Sequence, residues 1–337
     1  MTESKMTESK MTARHVAESG TASNQIHGVG LFSGRGARVR LLAPPVGRQG
    51  IFIERPDVGV LPVLISPVLV LQESMENAQK SAHIHAQWMH TLDGRPILMK
   101  PRNTTLVLPL ANSGSHAGVA VAATIEHVLS ALAGLSIWNA TIVLEGDEVP
   151  IADGSALPFV ELARASGLGD ETSVLGLAKA DPLVLTREIK VSDASGATII
   201  ARPLSRGFTS RLSYTYCLDY GSTSPVAAAN ATWLGEATEF VKAIAPARTF
   251  SLVHEAHAAR AAGLFTHLSP ADMLVIGDDG VPIDNAWRVG NELAAHKLLD
   301  LIGDLALIGK PLCAEVIATR SGHALAHELC RRIVAEQ

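Results

Sequence analysis

Apolar and polar positions alternate in short runs of period two, broken by a few longer stretches of period 3.6. Ala37-Arg38-Val39-Arg40-Leu41-Leu42 and Ile51-Phe52-Ile53-Glu54 read as strands, and so do residues 140–144, which Gly146 closes with a turn. Between them Ile125, Val128, Leu129 and Leu132 recur at i, i+3, i+4 and i+7. That spacing predicts a helix over about 124–135, with Thr124 as its N-cap and Gly134 near its end. A second helix is expected over about 158–165.

The segment Ala178-Lys179-Ala180-Asp181-Pro182 breaks the pattern as a linker would. Beyond it the style repeats, with strands expected near 183–191, 197–202 and 211–216, then helices, strands and helices again. Neither half shows the regular βαβα alternation of a doubly wound parallel sheet, so both are expected to be α+β. The domains are expected at 21–178 and 182–337, with an insertion at about 73–101. Within that insertion lies His83-Ile84-His85-Ala86-Gln87-Trp88-Met89-His90, which fits neither half and reads as surface or interface.

Composition narrows the class. Of 337 residues, 47% are hydrophobic and 18% charged, which excludes a largely disordered chain and can fill two cores. A net charge of −5 argues against nucleic acid as a partner. Three cysteines, Cys217, Cys313 and Cys330, are too few and too scattered for a disulfide framework or a thiolate zinc site, and they fit a reduced cytoplasmic compartment. The apolar run 60–71 is interrupted by Pro62, Ser66 and Pro67, so no transmembrane segment is expected. The first 20 residues repeat the pentad Met-Thr-Glu-Ser-Lys, lack an apolar core, and read as a disordered tail rather than a secretory signal.

Three segments could carry chemistry. On a helix, His296 and Asp300 share a face at i, i+4, with Lys297 and Asp304 close by and Leu298, Leu301, Ile302 and Leu305 opposite. Such a stripe is either a solvated face with a Lys–Asp pair or a cluster that meets a metal or ligand. Glu126 and His127 open the helix at 124–135, either as base and metal ligand or as a dipole partner and a packed histidine. His323 stands at a loop-to-helix junction, and His327 one turn later reads equally well as a surface residue. Two histidines and one aspartate satisfy the three-ligand rule for a catalytic zinc with a fourth position open to water, and they leave a carboxylate and a histidine over as base and acid. The same set also suits a non-haem iron oxygenase. Gly28-Val29-Gly30-Leu31-Phe32-Ser33-Gly34 approaches a dinucleotide fingerprint, but its third glycine falls one place late and no clear strand precedes it. There is neither a P-loop nor a G-x-S-x-G elbow.

Four blocks together resemble the UDP-3-O-acyl-N-acetylglucosamine deacetylase family, the zinc amidases of lipid A biosynthesis in Gram-negative bacteria. They are Gly28 to Leu31 with Ser33-Gly34; Ile125-Glu126-His127 through Leu135; Glu148-Val149-Pro150-Ile151 with Asp153-Gly154-Ser155-Ala156 and Pro158-Phe159; and Ala247-Arg248-Thr249-Phe250 with His296-Lys297, Gly303-Asp304 and Ser321 to Leu325. The resemblance spans nearly the whole chain. It implies two similar α+β domains, each a sheet with helices on one face, packed helix to helix around an active-site cleft. It also implies zinc ligands His127, His296 and Asp300, with Fe2+ as a substitute metal. Glu126 would be the base and His323 the acid, paired with Asp304. Thr249 would steady the oxyanion, and Lys297 and Phe250 would bind substrate. The implied partner is a UDP-linked acylated amino sugar whose acyl chain occupies a hydrophobic groove. The enzyme is expected to be a cytoplasmic monomer working near the inner membrane surface.

Three features depart from the family pattern. Phe32 stands where histidine is usual, Thr266-His267-Leu268-Ser269 replaces a Gly-Gly-Ser turn, and the 73–101 insertion is extra. The first two motivate an alternative, a non-catalytic paralogue that binds a sugar nucleotide or a protein partner.

Overall fold

A computed structural model describes residues 24–63, 87–90, 96–99, 102–109, 119–169, 181–205, 210, 212–270 and 272–337. Two five-stranded sheets dominate it. In the first, the spatial order is Ile26–Val29, Gly36–Leu42, Ala140–Glu145, Ile51–Arg55 and Gly59–Pro62. In the second it is Ile189–Ser192, Thr198–Arg202, Glu315–Thr319, Ser213–Leu218 and Ala229–Trp233. Both sheets follow one plan. The last strand in sequence enters the middle, pairing antiparallel on one side and parallel on the other. In the first sheet that strand, Ala140–Glu145, is buried along nearly its whole length, as a central strand must be, while its neighbour Gly36–Leu42 alternates, with Val39 and Leu41 in the core and Arg38 and Arg40 less buried.

In each sheet the central strand is entered from one helix and followed by another. In the first half these are α1 (Glu126–Gly134) and α2 (Leu157–Ala165). Helix α3 (Val253–Ala261) follows a short strand, Phe250–Leu252, in the second half. There the central strand is flanked by α4 (Glu292–Leu305) and α5 (His323–Ala335). The corresponding helices α1 and α4 pack against each other, so the two halves meet helix to helix as an α+β fold. Every residue of α1 is buried, and so is every residue of α4 except Lys297. Val128, Leu129, Leu132, Leu298 and Ile302 on these two helices are fully buried in the core, each side chain worth ~1.5–3 kcal/mol of transfer free energy. Gly303 permits the close approach: a Cβ there would collide with the carbonyl oxygen of Glu126, a backbone atom that has little room to yield.

Several sequence expectations need correction. The first helix begins at Glu126, with Ile125 at the cap position and no side-chain cap. Thr124 instead adopts φ 57° and donates its hydroxyl to Glu148 Oε1 at 2.8 Å. The strand expected at 183–191 is two strands, Leu183–Val184 pairing with Leu312–Cys313 and Ile189–Ser192 joining the second sheet. A strand does precede the glycine-rich segment at 28–34, but a turn follows it rather than a helix. That turn is held by Glu148, whose carboxylate accepts the amides of Phe32 and Ser33 at 3.0 and 2.8 Å. Gly30 and Gly34 close this turn, the Gly34 N–H donating to the Gly30 carbonyl at 3.0 Å.

Of the expected insertion, Gln87–His90 and Pro96–Met99 form an antiparallel hairpin. His83, His85, the tail at 1–20 and linker residues 178–180 lie outside the described residues. Among the described residues, no helix is long and apolar enough to cross a membrane.

Candidate metal-dependent active site

The seam between α1 and α4 carries the polar residues. His127 comes from the first turn of α1, and His296 and Asp300 lie one turn apart on α4. Asp300 Oδ1 stands 3.6 Å from His127 Nε2 and 3.5 Å from His296 Nε2. One ligand atom from each residue falls within 4.8 Å of the others, and all three side chains are buried. His296 Nδ1 donates to the carbonyl of Ala247 at 3.1 Å, which fixes the ring and turns Nε2 inward as an electron-pair donor. Burial drives His296 down to about 3, so the ring is neutral; burial alone would raise Asp300, but His296 and Lys297 beside it hold it well below the ordinary carboxylate range. Two imidazoles and one carboxylate form a borderline-soft N2O donor set, and it fits a divalent transition ion.

The segment that carries Ala247 is itself anchored. Arg248 is buried and donates to Glu292 Oε1 at 2.8 Å, to Asn285 Oδ1 at 2.8 Å and to the carbonyl of Ala286 at 2.6 Å. Glu292 is the first residue of α4, so this ion pair ties the 247–250 segment to the start of the ligand helix. Asp300 also takes Lys297 Nζ on Oδ2 at 2.9 Å. Lys297 in turn lies 5.7 Å from the centre of the Phe250 ring, a cation–π contact.

Next to the ligand triad stand the two groups left over. Glu126 is 3% exposed, and burial pushes its carboxyl above the ordinary range. Its Oε2 accepts the backbone N–H of Thr104 at 2.9 Å. His323, at the start of α5, places Nδ1 2.8 Å from Asp304 Oδ2. Burial alone would depress His323, but the Asp304 carboxylate, with Glu126 and Asp300 beyond it, raises it to about 10. The same pairing overrides burial to lower Asp304 to about 2. The pair is therefore imidazolium–carboxylate at neutral pH, with the other ring nitrogen of His323 left for a ligand. This arrangement can supply a base and an acid to one reacting centre.

A cavity of about 1050 Å³ opens beside these groups, and Thr249, Phe250, Lys297 and His323 line it together with the apolar Phe32, Phe265 and Met273. Phe32 meets Phe265 edge to face at 5.6 Å and packs with Leu31, Ile151 and Leu268. His267 Nε2 lies 3.2 Å from the carbonyl of Gly30. The two departures in sequence, at Phe32 and at 266–269, thus touch each other.

A family model described as UDP-3-O-acyl N-acetylglycosamine deacetylase matches residues 21–335. The chain belongs to this deacetylase family. UDP-3-O-acyl-N-acetylglucosamine deacetylase of Acidithiobacillus ferrooxidans is 30% identical over 313 residues, covering 92% of this chain and 87% of that one. As a member of the deacetylase family the chain is an enzyme of the hydrolytic class.

All nine sequence-predicted site residues of this deacetylase line the seam or the adjoining cavity. The solvated-stripe reading of α4 is overturned, because His296, Asp300 and Asp304 are buried. His327 is not a plain surface residue either: its Nε2 lies 2.9 Å from Thr104 Oγ1 and 3.5 Å from Asp304 Oδ1. Thr104, Glu148 in its role as loop anchor, and the Arg248–Glu292 pair went unassigned in the sequence. Thr104 sits among short polar residues before an apolar run, with no spacing that ties it to any helix.

Proposed function

We propose that this chain hydrolyses the N-acetyl group of UDP-3-O-acyl-N-acetylglucosamine, releasing acetate and UDP-3-O-acyl-glucosamine, as a step of lipid A biosynthesis. The observation that carries the reading is the meeting of a His–His–Asp donor set with a buried carboxylate and a His–Asp pair, drawn from α1, α4 and α5. His127, His296 and Asp300 would hold zinc, with Fe2+ as a substitute. Bound there, the metal would act as a Lewis acid and lower the pKa of water.

The chain's own residues do the rest. Glu126 takes one proton from the attacking water as its oxygen bonds to the acetyl carbon. Thr249 and the charged His323 face the oxyanion that develops. As the carbon–nitrogen bond breaks, His323 passes its proton to the departing sugar amine, and Asp304 holds the ring in place throughout. Lys297 and Phe250 bind the sugar nucleotide, and the apolar lining of the cavity takes the acyl chain. The enzyme would work in the cytoplasm near the inner membrane, with domains at about 21–178 and 182–337.

The test is acetate release from UDP-3-O-acyl-N-acetylglucosamine by metal-loaded protein, alongside elemental analysis. Asp300→Ala should lose bound metal. Glu126→Gln should keep metal and fold but lose turnover by ~10²–10⁴-fold, the range for a general base. No acetate from the metal-loaded wild type overturns the substrate assignment, and near-normal turnover in Glu126→Gln removes that residue from the mechanism.

A further inference from the structure

One residue outside the ligand and acid–base set touches both halves of the chemistry. Thr104 is 1% exposed and comes from a segment that belongs to neither sheet. Its backbone N–H donates to Glu126 Oε2 at 2.9 Å. Its hydroxyl is hydrogen-bonded to Asp304 Oδ1, while Asp304 Oδ2 takes His323 Nδ1 at 2.8 Å. The same hydroxyl oxygen lies 2.9 Å from His327 Nε2.

A hydroxyl has one proton to give and lone pairs to receive. An ionised Asp304 accepts only, so the Thr104 proton goes to Asp304 Oδ1. The hydroxyl oxygen then receives the N–H of His327. The result is a directed chain, His327 to Thr104 to Asp304, whose hydroxyl oxygen also lies 3.4 Å from His323 Nδ1. A carboxylate held at one oxygen can still rotate about its Cβ–Cγ bond, whereas one held at both cannot. The second hold fixes the plane against which His323 is oriented.

We propose that Thr104 is a positioning residue for this reaction, setting Asp304 and through it His323 by its hydroxyl while its amide sets Glu126. The proposal rests on the deacetylation reading above. Thr104 contacts neither substrate nor the metal ligands in this role. It keeps the base and the acid in register across α1, α4 and α5, and misplacement of such groups costs rate rather than binding.

Three variants at one position separate the parts. Thr104→Val keeps shape and backbone N–H but removes the hydroxyl. Thr104→Ser keeps the hydroxyl and removes the methyl. Thr104→Ala removes both. With metal-loaded protein and UDP-3-O-acyl-N-acetylglucosamine, Thr104→Val and Thr104→Ala should lower kcat by about 10- to 100-fold with KM and bound metal near wild type, the range for outer-sphere orienting groups. Thr104→Ser should recover most of kcat. Thr105→Val, one residue along, should leave kcat unchanged. Wild-type kcat in Thr104→Val overturns the proposal, and so does a loss that Thr104→Ser does not restore, since packing would then be the cause. If Thr104→Val fails to fold, the comparison of Ser with Ala decides: equal loss in both rejects the hydroxyl's role. Acetate release by the wild type in the same assay keeps failure here distinct from failure of the substrate assignment.

Discussion

At the scale of single residues, the His323–Asp304 pair sets the pH behaviour. Burial would lower the imidazole, yet Asp304, reinforced by Glu126 and Asp300, raises it from the ordinary 6.5 to about 10. His327 also faces Asp304, at 3.5 Å. Because the folded value exceeds the unfolded one, the pair's contribution to stability is complete below about 6.5 and is lost as pH climbs through about 10. Under the proposed mechanism catalysis follows the same sign, since His323 as the acid must carry its proton. Asp304→Ala removes the chief raising influence and leaves burial, so the basic limb of kcat/KM should move to lower pH. The acid limb should stay nearly in place, because burial sets Glu126. A pH profile of this variant and of His323→Ala checks the assignment; a wild-type basic limb in both would belong to another group.

The helix pair α1 and α4 is the element on which the site depends. Its two ligand-bearing helices touch where Gly303 faces Glu126, whose carbonyl carbon and Cα would lie 2.8 and 3.1 Å from an added Cβ. Backbone cannot swing aside as a side chain can, so Gly303→Ala must push the helices apart. Overpacking of this kind costs ~1–3 kcal/mol. His127 follows Glu126 directly and Asp300 is one turn before Gly303, so the same shift should widen the donor set. Thermal denaturation together with metal titration should show lower Tm and weaker metal binding in Gly303→Ala. An unchanged Tm with unchanged metal affinity would mean that the close approach is dispensable.

For the whole molecule, the repeated sheet plan explains where the site lies. Each half enters its central strand from one helix and leaves it into another, so equivalent helices come face to face when the halves pack. The pieces outside this plan should be separable from it. The hairpin of Gln87–His90 and Pro96–Met99 pairs with itself and with neither five-stranded sheet. Deleting residues 75–100 with a short linker should therefore leave Tm and bound metal nearly unchanged. Insoluble protein on expression would show that this stretch completes a core.

Local periodicity determined the parts of this protein that depend only on neighbours in sequence. The spacing of Ile125, Val128, Leu129 and Leu132 marks the buried helix, and the i, i+4 placement of His296 and Asp300 puts both side chains on one face, because helical geometry converts spacing into direction. The α+β character of both halves is legible for the same reason. The helix start is not, since the Thr124 hydroxyl is taken by Glu148 and so does not cap α1. Nor could any period announce that Thr104 bonds Asp304 across 200 positions, or that Glu148 holds the amides of Phe32 and Ser33 across 116 and 115. Those bonds depend on where the chain's path brings polar groups out of water, and a buried donor takes whichever acceptor the packed helices place within reach. The shared face of His296 and Asp300 could thus be read from the sequence, while the hydrogen bonds that join Thr104 to Glu126 and Asp304 were decided only by the packing of α1, α4 and α5.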